Sequence, residues 1–230
     1  MKNICIIPAR AGSKRIKNKN ITSFFGKPLI FRAIYAAKKS NLFSEIFIST
    51  DSLKIINLAK KYNVSYLVRE KYLSNGSVTI HSVIQKTIKH LKKKIMFDNV
   101  CCILPTAVLI NYKNLIKSYK ILSKNKSDFV IPVAQFSYPP QRGLKINKKK
   151  IYMINKKNYN INSQKFSKIY HDAGQFYWGK ASSYLKYKNT FNGKSSSLIL
   201  SNSEVQDIDD QEDIKLAKIK YQSLYKWIFS

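Results

Sequence analysis

Short apolar runs rich in β-branched residues recur at residues 4–8, 46–49, 64–68, 100–104 and 129–133, each closed by turn or polar residues. Runs of that length without polar alternation predict strands buried on both faces. Between them, apolar positions return every three or four residues at 29–39, 53–62, 78–91 and 112–122, the spacing of helices with one buried side. Strand alternating with helix predicts an α/β fold: a Rossmann-like, mostly parallel sheet with helices on both faces and right-handed crossovers. Sheets of this kind bind ligands beyond the carboxyl ends of their strands, so the loops that follow strands are the segments to read for chemistry.

The alternation stops after Val133. Tyr138-Pro139-Pro140-Gln141-Arg142-Gly143 opens a Lys- and Asn-rich stretch with short apolar patches, which predicts a small β excursion over residues 138–168. A strand pattern resumes over 169–178, another short run follows at 198–201, and 214–228 has the spacing of a closing helix. No internal repeat interrupts this order, and residues 1–230 read as one domain carrying the excursion as an insertion.

With 44% hydrophobic residues the chain can fill a core, and no apolar run approaches the roughly 20 residues of a membrane helix. The first residues lack the charged, apolar and small-residue segments of a secretion signal, and the expectation is a cytoplasmic protein with no membrane insertion. Cys5, Cys101 and Cys102 lie in apolar runs without metal-ligand spacing and read as buried thiols.

The formal charge of +30 raises a nucleic-acid-binding alternative, because basic surface releases counterions from phosphate backbones. The composition has a plainer cause. Only five of the 42 basic residues are Arg, Ile outnumbers Leu 30 to 17, and Asn is abundant, a pattern of A/T-rich codons. Dedicated phosphate and base readers favour the planar Arg fork, whereas here Lys is spread over almost every segment, and no specific nucleic acid partner is expected. The acids carry more information: six of the twelve fall between Glu204 and Asp213.

The first predicted strand runs into Pro8-Ala9-Arg10-Ala11-Gly12-Ser13-Lys14-Arg15, then Lys17-Asn18-Lys19-Asn20. Gly12 allows close backbone approach, Ser13 and backbone N–H groups can donate to phosphate oxygens, and Arg10, Lys14 and Lys19 supply countercharge for a triphosphate. A solvated basic loop is the plainer alternative; neither a Walker P-loop nor a GxGxxG fingerprint is present. Near the other end, Asp207 and Asp209 stand two apart. In an extended segment they point the same way and can present two carboxylates to one Mg²⁺, although Asp209 with Glu212 also has the spacing of a helix capping box, a role open to Asp209 or Asp210.

Residues 7–14 with Lys19-Asn20 and Gly26-Lys27-Pro28-Leu29-Ile30 resemble the opening signature of the CMP-sialic acid synthetase family of cytidylyltransferases. The resemblance continues through Ser49-Thr50-Asp51, Arg69 with Leu73-Ser74, Leu104-Pro105-Thr106-Ala107 and Val205-Gln206-Asp207-Ile208-Asp209. Tyr138 to Leu144 and Tyr170-His171-Asp172-Ala173-Gly174-Gln175 are similar to the branch that activates pseudaminic acid, a nine-carbon nonulosonic acid. Leu104 stands where N-acetylneuraminate enzymes carry Gln, which argues against that sugar. The resemblance implies a fold of the nucleotide-diphospho-sugar transferase type and the reaction of CTP with a nonulosonic acid to a CMP-sugar and pyrophosphate, with Mg²⁺. Legionaminic and N-acetylneuraminic acids are the alternative sugars.

By the same resemblance, Ala9, Arg10, Gly12, Ser13, Lys14, Lys19, Asn20, Arg69, Thr79 and Thr106 would hold the nucleotide. Arg10, Lys19 and Asp207 would act in catalysis, and Asp207 with Asp209 would bind the metal. Gln141, Arg142, His171, Asp172 and Gln175 would meet the sugar, although His171 and Asp172 also suit a pair that fixes a loop. The excursion would form a homodimer.

Overall fold

A computed structural model describes residues 1–13, 15–74 and 77–225. In chain order the elements are β1 (Asn3–Pro8), β2 (Ser23–Phe24), β3 (Lys27–Pro28), α1 (Ile30–Ser40), β4 (Glu45–Thr50), α2 (Leu53–Lys61), β5 (Ser65–Val68), α3 (Ile80–Leu91), β6 (Asn99–Ile103) and α4 (Tyr112–Lys124). They continue with β7 (Phe129–Gln135), β8 (Leu144–Asn147), β9 (Lys150–Met153), β10 (Tyr170–Asp172), β11 (Phe176–Lys180), α5 (Ala181–Lys186), β12 (Ser195–Leu200) and α6 (Gln211–Leu224).

β1 lies inside the main sheet, parallel to β4 on one side and β6 on the other, and β5 extends the parallel half beyond β4. β11 runs antiparallel between β6 and β7, while β12 pairs parallel along β7. The expected mostly parallel α/β sheet is therefore present, with β10 and β11 as antiparallel exceptions.

The strands read as continuous apolar runs because both faces are covered. On β1, Cys5 and Ile7 pack with α1, α2 and α4 residues such as Ala33, Ile55 and Leu115. Ile4 and Ile6 point the other way, into a second core with Ile84 and Ile88 of α3 and Tyr184 of α5. All three cysteines are free and buried, as their apolar settings predicted. Among the described residues no helix is long and apolar enough to cross a membrane.

A third cluster sets the active region. Ile16 from the loop after β1, together with Phe24 and Leu29, packs against Ile208 and the α6 residues Ile214, Ala217 and Tyr221. Burial of side chains of this size stabilises by about 1.5–3 kcal/mol each, and it ties the basic loop near the amino terminus to the acidic segment near the other end.

Three expectations change. The run 169–178 is not one strand: Asp172 pairs with Val133 but Trp178 pairs with Val130, so six positions on β10–β11 oppose three on β7. The excess forms a bulge around 173–175 with Gly174 at φ +61, a conformation that glycine adopts without a Cβ penalty. The short helix α5 carries no strong sequence pattern and was not anticipated. The last helix starts at Gln211 rather than 214 because Asp210 caps it: its carboxylate accepts from the Glu212 and Asp213 N–H groups, and Asp213 accepts in return from Asp210 N. The cap is thus Asp210 with Asp213, not Asp209 with Glu212. Residues 226–228 of the expected helix lie outside the described residues.

The excursion is a two-stranded β8–β9 hairpin flanked by short helical turns, joined through Lys148 and Lys149 at φ 46 and 66. Positive φ at both central residues matches the twist of the hairpin's strands.

Candidate active site

The loops following β1, β5 and β6 and the start of α3 enclose a cleft of about 520 Å³. Arg10, Gly12, Ser13, Arg15, Lys19 and Asn20 line it from the first loop, Arg69 from the end of β5, Thr79 from the start of α3, and Thr106 from the loop after β6. This is the carboxyl edge of the parallel half of the sheet, where strand-following loops converge. The structure thus brings together the predicted nucleotide residues, with Ala9 buried directly beneath, its N–H donating to Ser49 O at 2.9 Å. Lys14 lies outside the described residues.

Polar anchors hold the loop. Asn20 donates through Nδ2 to Arg10 O at 3.0 Å, and Ala11 N donates to Asp51 Oδ1 at 2.7 Å. Arg69 is buried and donates through Nη2 to Ser49 O at 2.8 Å. Burial pulls its pKa below the ordinary Arg value, the nearby Asp51 charge opposes that, and Arg10 adds to it. An Arg has so high a starting pKa that it stays charged, which leaves a desolvated cation on the cleft floor. Thr79 accepts from Ser82 N at 3.2 Å as the N-cap of α3, so its hydroxyl has a helix to hold as well as a cleft to face. A Cβ on Gly12 would meet nothing within 4 Å, and the protein itself sets no steric demand for glycine there.

Lys19 connects the cleft to the acids. Its Nζ donates to Ile208 O and lies 3.4 Å from Asp209 Oδ1, while Arg15 Nη2 lies 2.6 Å from the same oxygen. Asp207 sits beside the bulge: a Cβ on Gly174 would stand 4.0 Å from its Cγ. Burial and then the Asp209 charge raise the Asp207 pKa above the usual carboxylate value, against the pull of the Ile208 N–H and Lys19. Two carboxylates whose negative charges oppose each other form a setting that a cation relieves. Among the described residues no group of three or more His, Cys, Asp or Glu could hold a metal. Mg²⁺ does not need one, since it commonly takes one or two carboxylates and fills the rest with phosphate oxygens and water.

A second, smaller pocket of about 150 Å³ shares Ile80 with the cleft and is lined by His81, Asp172, Tyr177, Tyr184 and Thr190 among others. Asp172 accepts from Gly174 N at 2.8 Å and from Tyr177 OH at 2.7 Å. His171, its neighbour on β10, contacts Phe136 edge-on, and its Nδ1 lies 2.9 Å from Asp172 O, so the two side chains form no His–Asp pair. Gln175 is 2% exposed, and its amide donates inward to Glu204 O while its Oε1 is buried without a partner. Gln141 and Arg142 stay in the excursion, where Gln141 donates to Ser167 O and Arg142 to Ile161 O at 2.7 Å; neither lines the cleft.

A model of the cytidylyltransferase family matches residues 4–223, which spans the cleft, both carboxylates and the excursion. The chain belongs to the cytidylyltransferase family. It is 41% identical to a pseudaminic acid cytidylyltransferase of Campylobacter jejuni over 96% of this chain and 97% of that protein. It is 34% identical to a CMP-N,N'-diacetyllegionaminic acid synthase of Legionella pneumophila over 61% of each. Among solved structures, a CMP:2-keto-3-deoxy-manno-octonic acid synthetase complexed with CTP superposes with a TM-score of 0.70, covering 98% of this chain and 100% of that one, at 13% identity. At that identity the likeness speaks for the fold, a nucleotidyltransferase-type α/β sheet.

Three features of this cytidylyltransferase site escaped the sequence reading. Arg15 stood in the quoted loop without a role, and its ion pair with Asp209 joins opposite ends of the chain. Asp51 anchors the loop through Ala11, a role that the motif Ser49-Thr50-Asp51 did not give it. The apolar wall of Leu73, Val78, Ile80 and Val83 comes from the start of α3 and the segment before it, which carries no separate signature.

Proposed function

We propose that this cytidylyltransferase transfers CMP from CTP to pseudaminic acid, giving CMP-pseudaminic acid and pyrophosphate, with Mg²⁺. The observation that carries this reading is Lys19, which lines the basic cleft and also touches Asp209 and the Ile208 carbonyl, so that cations for a triphosphate and carboxylates for a metal lie side by side. The sugar is supported by the 41% identity to the Campylobacter jejuni enzyme along nearly the whole of both chains.

In this reading Arg10, Ser13, Lys19 and Asn20 bind the phosphates, and Arg69, Thr79 and Thr106 bind the nucleoside. Asp207 and Asp209 would hold Mg²⁺, which when bound supplies charge neutralisation at the phosphates and eases ionisation of a nearby hydroxyl. The sugar's anomeric oxygen attacks the α-phosphorus in line; the new P–O bond forms as the bond to pyrophosphate breaks, and the hydroxyl proton leaves to solvent. Lys19 and Arg10 stabilise the negative charge gathering on the leaving pyrophosphate. The small pocket beside the cleft receives the sugar's acylamino substituents, with Asp172 as acceptor and Tyr177 fixing its orientation. A cytoplasmic location fits the same reading, since the three thiols are free.

Pyrophosphate release from the purified protein with Mg²⁺ tests it directly. Turnover is expected with CTP and pseudaminic acid, and not with ATP, GTP or UTP; faster turnover with legionaminic or N-acetylneuraminic acid would move the substrate and keep the chemistry.

The excursion supports a homodimer. Leu144, Ile146 and Ile151 on the hairpin are 58%, 75% and 65% exposed, more apolar surface than a solitary two-stranded ribbon ordinarily presents. Gln141 and Arg142 would reach a sugar only through such assembly. Ile146→Glu should convert a dimer to a monomer in light scattering without altering the melting temperature of the main sheet; a wild-type monomer at all concentrations would dismiss the dimer.

A further inference from the structure

The chain holds 42 basic and 12 acidic residues, yet both ion pairs among the described residues end on one oxygen, Asp209 Oδ1. Arg15 makes the shorter, at 2.6 Å, and Lys19 the longer, at 3.4 Å. The two cations differ in setting. The Lys19 side chain is 20% exposed and has the Ile208 carbonyl as a second partner, whereas the Arg15 side chain is 64% exposed; both line the cleft.

A contact that exposed stabilises by little, which is too weak for a structural staple and suited to exchange. The packing beneath it is firm. Ile16, next to Arg15, and Ile208, next to Asp209, are 4% and 0% exposed in one apolar cluster. The backbone on both sides is thereby fixed while the guanidinium remains free to change partners.

We infer that Arg15 is a partner-switching residue: in the free enzyme it neutralises Asp209, and when metal and CTP enter it yields that carboxylate to the cation and moves to the triphosphate. The inference rests on the metal reading given above. Arg⁺ and a divalent cation compete for the same lone pairs on Asp209, and repulsion between them drives Arg15 away once the cation is bound. The cleft it already lines is where the phosphate oxygens of CTP would lie, and a guanidinium can bind two of them in a fork. Arg15 so adds to Lys19 in compensating Asp209 before substrate arrives. It adds a positive charge to the phosphates afterwards.

Such an exchange gives one substitution two effects of opposite sign. Mn²⁺ as the metal probe, followed by electron paramagnetic resonance without nucleotide, should bind Arg15→Gln about two- to five-fold tighter than wild type, the range that a surface pair allows. CTP binding measured by calorimetry should weaken about ten-fold or more, as for loss of a charge-assisted hydrogen bond. Arg15→Lys should recover part of both. Lys17→Gln removes the same charge from an exposed neighbour in the loop and should leave both constants within about two-fold, which separates exchange at Asp209 from a general change in field.

Mn²⁺ that binds Arg15→Gln no more tightly than wild type overturns the exchange, as does an equal gain in Lys17→Gln. Unchanged CTP affinity in Arg15→Gln overturns the phosphate role whatever the metal does. Wild type that takes up no Mn²⁺ even with CTP present instead overturns the metal reading on which the inference stands.

Discussion

Asp207→Asn should lower turnover by about a thousand-fold or more while CTP still binds, because in the proposed reading the change removes one of the two carboxylates that would hold Mg²⁺ and leaves the basic cleft intact. Single-turnover pyrophosphate release beside calorimetric CTP binding checks it, and near-normal rates at saturating Mg²⁺ would refute the assignment. Unfolding offers no rival explanation. In the folded protein burial and Asp209 raise the Asp207 pKa, so folding favours the protonated form. The sign follows from linkage: the stability associated with this group is fully present below its unfolded pKa and is lost as pH rises through the higher folded value. At neutral pH the charged carboxylate therefore costs stability in the metal-free protein, and the neutral amide should melt no lower than wild type. By the same sign, Mg²⁺ should bind less tightly as pH falls through that raised pKa, since protons and metal compete for the carboxylate.

Trp178→Ala should cost about 3–5 kcal/mol of stability, near the top of the range for a single core substitution. Trp178 is fully buried on β11, where it pairs with Cys101 and Val130; Phe43 stacks on its ring at 5.2 Å and 17°, and Tyr119 lies at 5.2 Å and 38°. It thus fills the space between the sheet and the helices on that face, and no neighbour of similar size can close the void. For a chain of this size the loss should appear as a fall in melting temperature of about 6–20 °C, read by calorimetry. Trp178→Phe should cost much less than Trp178→Ala. The indole Nε1 is buried without a hydrogen-bond partner, so the phenyl ring removes an unsatisfied donor together with the lost volume. Equal losses in the two variants would show that the indole's full volume, rather than ring burial in general, holds β11 in place.

Both variants reach the same region from different directions. β11 is continuous with the bulge at 173–175, and Gly174 in that bulge backs Asp207. Backbone conformation there depends on β11 keeping its register with β6 and β7. The Gln175 amide adds a tie by donating to Glu204 O in the segment that leads to Asp207.

The amino-acid sequence by itself determined the alternation of strand and helix, the basic loop after β1 and the paired acids near the end. Each is carried by residues adjacent in the chain: β1 reads as a strand because Ile4 and Ile6 serve one core while Cys5 and Ile7 serve the other. Arg10 to Asn20 reads as a phosphate loop because its small and charged residues are consecutive. Only the tertiary structure decided that Gln175 turns inward, that Asp210 rather than Asp209 caps α6, that β10 and β11 part at Gly174, and that Arg15 meets Asp209. Short-range periodicity sets local conformation. The choice of partner among chemically equivalent groups depends instead on which distant segments the core brings together, and here Ile16 packing with Ile208 makes that choice.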